Sequence, residues 1–210
     1  MKSKTIYLIR HGETDYNKQG IVQGSGIDSE LNENGHSQAA AFYKRYANTP
    51  FDKVYTSALQ RTHQSVANFI KDGIPHKILP GLNEISWGKT EGKKPNPVED
   101  SFYWDVIKKW KSGETHLAME GGESPEDVIR RQKIAFEHII NQDHEDLILV
   151  AMHGRAIRIL LTLLTEIPVS EMDNFKHSNL CLYKLEYSYL TKRFKILEHN
   201  LTDHLALISA

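Results

Sequence analysis

The chain is poor in cysteine, in long apolar runs and in any excess of one charge. One cysteine in 210 residues, Cys181, excludes an internal disulfide and cannot supply a CxxC zinc site. It lies in an apolar stretch and reads as a small core residue in a reducing cytoplasm. The most apolar later run, 159–164, is far too short to span a bilayer. The opening Met1-Lys2-Ser3-Lys4 carries no apolar h-region and no cleavage pattern. A soluble, intracellular, cytoplasmic protein with no membrane partner is expected. Lys and Arg number 26 against 27 Asp and Glu, so no overall field draws the chain to nucleic acid. Any anion site must be local. No repeat of 20 to 50 residues, low-complexity tract or heptad pattern occurs. Eleven histidines invite a metal reading, yet HExxH and HxH are both missing. Most of the histidines then read as surface or packing residues, and neither metal nor cofactor is expected.

What is present is an ordinary globular composition, 40% hydrophobic and 25% charged, enough for one sizeable core and one domain over 1–210. Thr5 to Ile9 read as a strand buried on both faces. It ends in Arg10-His11-Gly12, at the carboxyl end where open α/β sheets hold ligands. Leu147 to Met152 is a second such strand, and it ends in His153-Gly154. Between them the pattern predicts a long loop over 16–31, a helix to about Asn48 and a strand at 52–56. A helix capped by Ser57 and running to Lys71 follows, then a strand at 76–79. The segment 93–122 is irregular, opened by Pro95 and Pro97, with a helix over 98–111. Ser124 caps a helix with Pro125 at its first position, running to Asn141, and another helix spans 155–165. Strands at 180–185 and 194–200 close the chain at the sheet edge. This alternation predicts a three-layer α/β/α fold with a mostly parallel central sheet and a small helical insertion, 93–122, over the site. Gly88-Lys89-Thr90 is not a P-loop: Asn83 stands where the first glycine belongs, and no helix follows Thr90.

If the two strands are parallel neighbours, His11 and His153 converge above the sheet with Arg10 and Arg61. Two guanidinium forks and two imidazoles match a phosphate dianion. Helix starts after Ser57 and Gly154 would add backbone N–H groups.

Arg10-His11-Gly12-Glu13-Thr14, continued by Asn17, Gln23-Gly24 and Leu31 to Gly35, resembles the signature of the histidine phosphatase superfamily, the phosphoglycerate-mutase-like proteins. Four later stretches match in the same order: Ser57 to Thr62, Glu84 to Gly92, Gly122-Glu123-Ser124 and His153-Gly154. The resemblance implies that His11 attacks phosphorus and carries a phosphohistidine. It implies that Arg10, Arg61 and His153 clamp the phosphoryl group, with Asn17, Gln23, Gly24 and Gly154 at the same site, and that Glu84 is the proton donor. A neutral imidazole suits His11 as nucleophile, whereas His153 would help most as a cation.

The implied substrate is a small phosphomonoester. Within the superfamily the alternative is a cofactor-dependent phosphoglycerate mutase, whose relatives carry paired arginines in a longer insertion. Here 93–122 holds Lys93, Lys94, Lys108, Lys109 and Lys111 but no arginine, which favours hydrolysis. A non-catalytic phospholigand-binding module is a third reading, disfavoured because every clamp residue is present. Arg155 departs from the small residue many relatives have there, and either reaches substrate or faces solvent. His177 and Asn179 are weaker candidates for the border of the pocket. A homodimer is compatible with the sequence, which names no particular substrate.

Overall fold

The computed structural model describes residues 2–96 and 101–208; Pro97 and the first turn of the helix expected from Val98 lie outside them. In chain order the elements are β1 (Ser3–Arg10), α1 (Asp15–Gln19), α2 (Glu33–Tyr46), β2 (Lys53–Thr56), α3 (Gln60–Ser65), α4 (Ala67–Lys71) and β3 (His76–Ile78). There follow α5 (Ser101–Lys111), α6 (Pro125–Asn141), β4 (Leu147–Met152), α7 (Gly154–Leu164), β5 (Leu182–Ser188) and β6 (Arg193–Leu201). Six strands form one sheet in the order β3-β2-β4-β1-β5-β6. The first four pair in parallel, and β5 and β6 extend the sheet antiparallel. Among the described residues no helix is long and apolar enough to cross a membrane.

The layers follow from side-chain alternation along the central strands. Ile6, Leu8, Ile148, Val150 and Met152 pack on one face against Phe136 and Ile139 of α6 and Ile157, Leu160 and Leu161 of α7, with Cys181 buried among them. Ile9, Val54, Leu149 and Ala151 pack on the other against Phe42, Phe51 and Phe69. Each fully buried side chain of this kind contributes about 1.5–3 kcal/mol. β4 is buried from Ile148 onward. In contrast, β1 alternates buried with half-buried residues until Leu8, Tyr7 meeting Tyr46 and Phe51 in T-shaped contacts while Lys184 lies over its ring.

Four local expectations change. The 16–31 stretch is entered through α1, nucleated by a capping box in which Thr14 and Asn17 satisfy each other's backbone N–H groups. The 57–71 helix is two helices, broken at Val66, and it starts at Gln60 after Leu59, without a side-chain cap. Ser57 fails as a cap because its hydroxyl accepts from Leu59 N–H outside the helix and is committed elsewhere. The tail strand starts at Leu182, since Leu180 takes φ 53°, a left-handed conformation incompatible with an extended strand. α7 begins one residue early, at Gly154.

The insertion packs through a third apolar cluster. Val106 and Trp110 of α5, with Met119, meet Ile85, Trp87, Val128, Ile159 and Met172. These residues form one apolar cluster with residues of the main body.

Candidate active site

β1 and β4 pair with Arg10 opposite Met152, and His11 N–H donates to the Met152 carbonyl at 3.0 Å. The two His-Gly pairs therefore leave the sheet at one level, and their imidazole centroids lie 5.2 Å apart. Gly12 cannot be replaced without cost: a Cβ there would meet the Gly35 carbonyl at 2.7 Å, while Gly35 itself presses on the Glu13 backbone. This contact joins the first motif to the Leu31 to Gly35 match.

His11 is buried, and its Nδ1–H donates to the Gly12 carbonyl at 2.7 Å, which leaves Nε2 with a free lone pair. Burial, then Arg61 and Arg10, push its pKa well below the usual histidine value, so the ring is neutral. His153 is also buried and neutral: burial, then Arg61 and His11, lower its pKa strongly. The cation that would help most is thus not its form in the free protein. Its Nδ1 accepts from Arg61 Nε at 3.2 Å, so its proton sits on Nε2, 2.8 Å from Ser57 Oγ.

Arg61 is completely buried, and burial brings its pKa down to about 10, still charged near neutrality. Its guanidinium donates to the Ile27 and Gly24 carbonyls at 2.7 and 3.2 Å. With its amide turned as its neighbours require, Gln23 accepts from Arg61 Nη1 and Nε at 3.0 Å and donates to Thr14. Gln23 and Gly24 thus hold Arg61, and Gly24 is kept small by the Glu91 carboxylate packed against it. Arg10 Nη1 donates to His177 Nδ1 at 3.0 Å, and Arg10 Nε is buried without an acceptor. Asn17 meets Asn179, whose Nδ2 donates to Asn17 Oδ1 and to the His11 carbonyl at 3.0 and 3.1 Å.

Glu84 is buried at the amino end of α7. Its Oε1 accepts from Ile85 and Ala156 N–H at 2.9 and 2.8 Å, and its Oε2 from Arg155 N–H at 3.1 Å. The α7 N–H groups expected at the phosphate are spent on this carboxylate, which is where a helix amino terminus favours one. When ionised it offsets part of the burial that lowers the pKa of Arg10 and of Arg61. Reading the sequence missed Arg131, which pairs with both oxygens of Glu123 at 2.8 and 2.9 Å and donates to the Gly81, Asn83 and Glu84 carbonyls. Nothing in local spacing points to its carbonyl acceptors, which lie 47 to 50 residues back along the chain. The Gly122-Glu123-Ser124 match was the available trace. Among the described residues no group of three or more His, Cys, Asp or Glu could hold a metal.

The family model of the histidine phosphatase superfamily (branch 1) matches residues 6–202. The chain belongs to this superfamily. A Schizosaccharomyces pombe protein named "Probable phosphatase C1687.21" is 27% identical over 202 residues, 95% of this chain and 88% of its own. A 2,3-bisphosphoglycerate-dependent phosphoglycerate mutase of Bartonella tribocorum is 32% identical over 168 residues, 75% of this chain and 80% of the mutase. Among solved structures, Bacillus stearothermophilus YhfR superposes with a TM-score of 0.84 at 25% identity, over 96% of this chain and 99% of that one. The fold of this superfamily member is accordingly the phosphoglycerate-mutase-like α/β fold, and the chain is an enzyme of phosphoryl transfer.

Proposed function

We propose that the chain is a metal-independent phosphomonoester phosphatase acting through phosphohistidine on a small phosphorylated metabolite. The observation that carries this is the His11 tautomer: Nδ1 is tied to the Gly12 carbonyl, so Nε2 is the free nucleophilic nitrogen of a neutral ring. Arg10 and Arg61 supply fixed positive charge for the phosphoryl oxygens, the task a metal ion would otherwise perform. His11 Nε2 attacks phosphorus, the ester P–O bond breaks, and the leaving alkoxide takes a proton from Glu84. Glu84 Oε2, with one N–H donor against two on Oε1, is the oxygen with room for that proton. Water, giving its proton back to Glu84, then cleaves the P–N bond and releases phosphate. His153, neutral in the free protein, orients Arg61 and faces the transferred group, and Asn17 borders it. Gln23, Gly24 and Gly154 support these residues from behind.

One catalytic unit over 1–210, with 93–122 as its cover, suits this chemistry. The buried free thiol of Cys181 fits the cytoplasm. Hydrolysis is favoured over mutase transfer by the lack of arginine in 93–122.

The test is phosphate release from a panel of phosphomonoesters in EDTA, beside interconversion of 3- and 2-phosphoglycerate with and without 2,3-bisphosphoglycerate. Release that survives EDTA and is lost in His11→Ala is the expected result. Isomerisation stimulated by the bisphosphate, with little release, would make the enzyme a mutase, and no turnover of either kind would leave a binding module.

A further inference from the structure

A second cluster of positive charge adjoins the phosphoryl pocket. Arg155 and Arg158, on the first two turns of α7, both place Nη1 2.6 Å from Asp173 Oδ1, and Lys111 of α5 approaches Asp173 Oδ2 at 3.5 Å. Asp173 is the one carboxylate in ion-pair contact with these three cations among the described residues. A tie between α7 and the turn at Val169–Asn174 needs one cation. Three leave two positive charges uncompensated: Arg155 and Arg158 are mostly buried, with 15% and 22% of their side chains exposed, so their like charges repel strongly, and Lys111 stands at the exposed rim. The repulsion registers on Arg158, whose pKa is lowered first by burial and then by Arg155. Arg158 Nε is also buried with no acceptor. Arg155 lies against aromatic walls, its guanidinium carbon 5.8 Å from the Trp87 ring centre and 5.9 Å from that of Trp110.

The cluster touches the reacting groups on two sides. The backbone N–H of Arg155 donates to Glu84 Oε2 at 3.1 Å, the oxygen to which the proposed function gives the proton for the leaving alcohol. His177, bonded to Arg10, is driven down to about 2 by burial and then by Arg10, Arg158 and Arg155 in turn, so it stays neutral between the two charged groups.

We propose that Arg155, Arg158 and Lys111 form a second anion subsite, which selects phosphomonoesters whose leaving alcohol carries another anionic group, a carboxylate or a second phosphate. This rests on the phosphatase reading for the position of the leaving group. Two guanidinium forks and an ammonium suit either oxyanion, and an arriving anion would share the cations with Asp173.

The test is calorimetric binding to His11→Ala protein, which holds ligand without turning it over. Phosphoglycolate is compared with ethyl phosphate for a carboxylate, and propane-1,3-diol bisphosphate with propyl phosphate for a second phosphate. At least one doubly anionic ligand is expected to bind about tenfold more tightly than its partner. Arg155→Met, which keeps the length of the side chain between the two tryptophans, should remove most of that advantage in the same background. The pair showing the advantage identifies the anion. Equal binding within both pairs overturns the proposal, and so does an advantage that survives Arg155→Met. The wild-type-subsite comparison needs no change in the cluster, so it decides even if Arg155→Met fails to fold. Failure of the phosphatase reading shows separately, as no phosphate release from p-nitrophenyl phosphate by unmodified protein.

Discussion

After β1, His11 gives its Nδ1 proton to the next carbonyl and keeps Nε2 free; after β4, His153 has both ring nitrogens engaged, by Arg61 and Ser57. The two dipeptides are identical, sit at one level of one sheet, and are equally buried. Their glycines differ as well. Gly12 faces fixed backbone at Gly35, whereas Gly154 faces the movable ring of His177. Neighbouring side chains engage both nitrogens of His153, whereas His11 Nδ1 is held by the backbone of its own His-Gly pair.

The strongest way to break this comparison is to remove each ring. His11→Asn should lower kcat by roughly a thousandfold or more and abolish an acid-labile phosphoprotein in rapid-quench labelling. His153→Asn should still form the phosphoprotein, with a barrier raised by about 2.7–4 kcal/mol. Equal losses with no labelled intermediate in either variant would sink the division of labour.

The glycines sharpen it next. Gly12→Ala should destabilise the protein by about 1–3 kcal/mol in urea unfolding, because backbone at Gly35 must move. Gly154→Ala should cost less, its strain passing into the His177 ring, and should act mainly on KM. A larger loss at Gly154 would reverse the comparison.

A smaller effect is shared by both rings. Each is neutral when folded, with its pKa held down by burial, whereas the unfolded rings protonate near the ordinary value of about 6.5. The unfolded state therefore binds more protons below that value. Stability should be full above about pH 6.5 and fall as pH drops, by about 1.4 kcal/mol per unit for each ring. In denaturant titrations over pH, His153→Asn should show a slope shallower by one proton; an unchanged slope would mean that His153 is charged in the fold.

Smallest should be His177→Asn. Loss of the acceptor for Arg10 should raise KM severalfold, about 1 kcal/mol, with kcat less affected.

Much of the site was legible because its residues sit in short local motifs. Arg10, His11 and Gly12 terminate a strand whose apolar run is visible, and Ser124-Pro125 announces α6 by cap chemistry that acts within one turn. Less legible was whatever depended on competition for a side chain. Ser57 has the composition of a helix cap, yet its hydroxyl serves Leu59 and His153. The first N–H groups of α7 look available to phosphate, yet Glu84, some seventy residues earlier, takes them.

By itself the sequence determined the α/β alternation, the two strands that end in His-Gly, the expectation that His11 and His153 converge with Arg10 and Arg61, and the lack of any global charge field. Hydrophobic periodicity and strand-end placement are local consequences of backbone geometry, so they survive without a partner in view. Only the tertiary structure decided the tautomer of His11, the neutrality of His153, the hold of Arg131 on the Glu84 segment, and the crowding of three cations around Asp173. Each of these depends on burial and on which distant group reaches a donor first, and desolvation and hydrogen bonding at close range are set by folded proximity rather than by order along the chain.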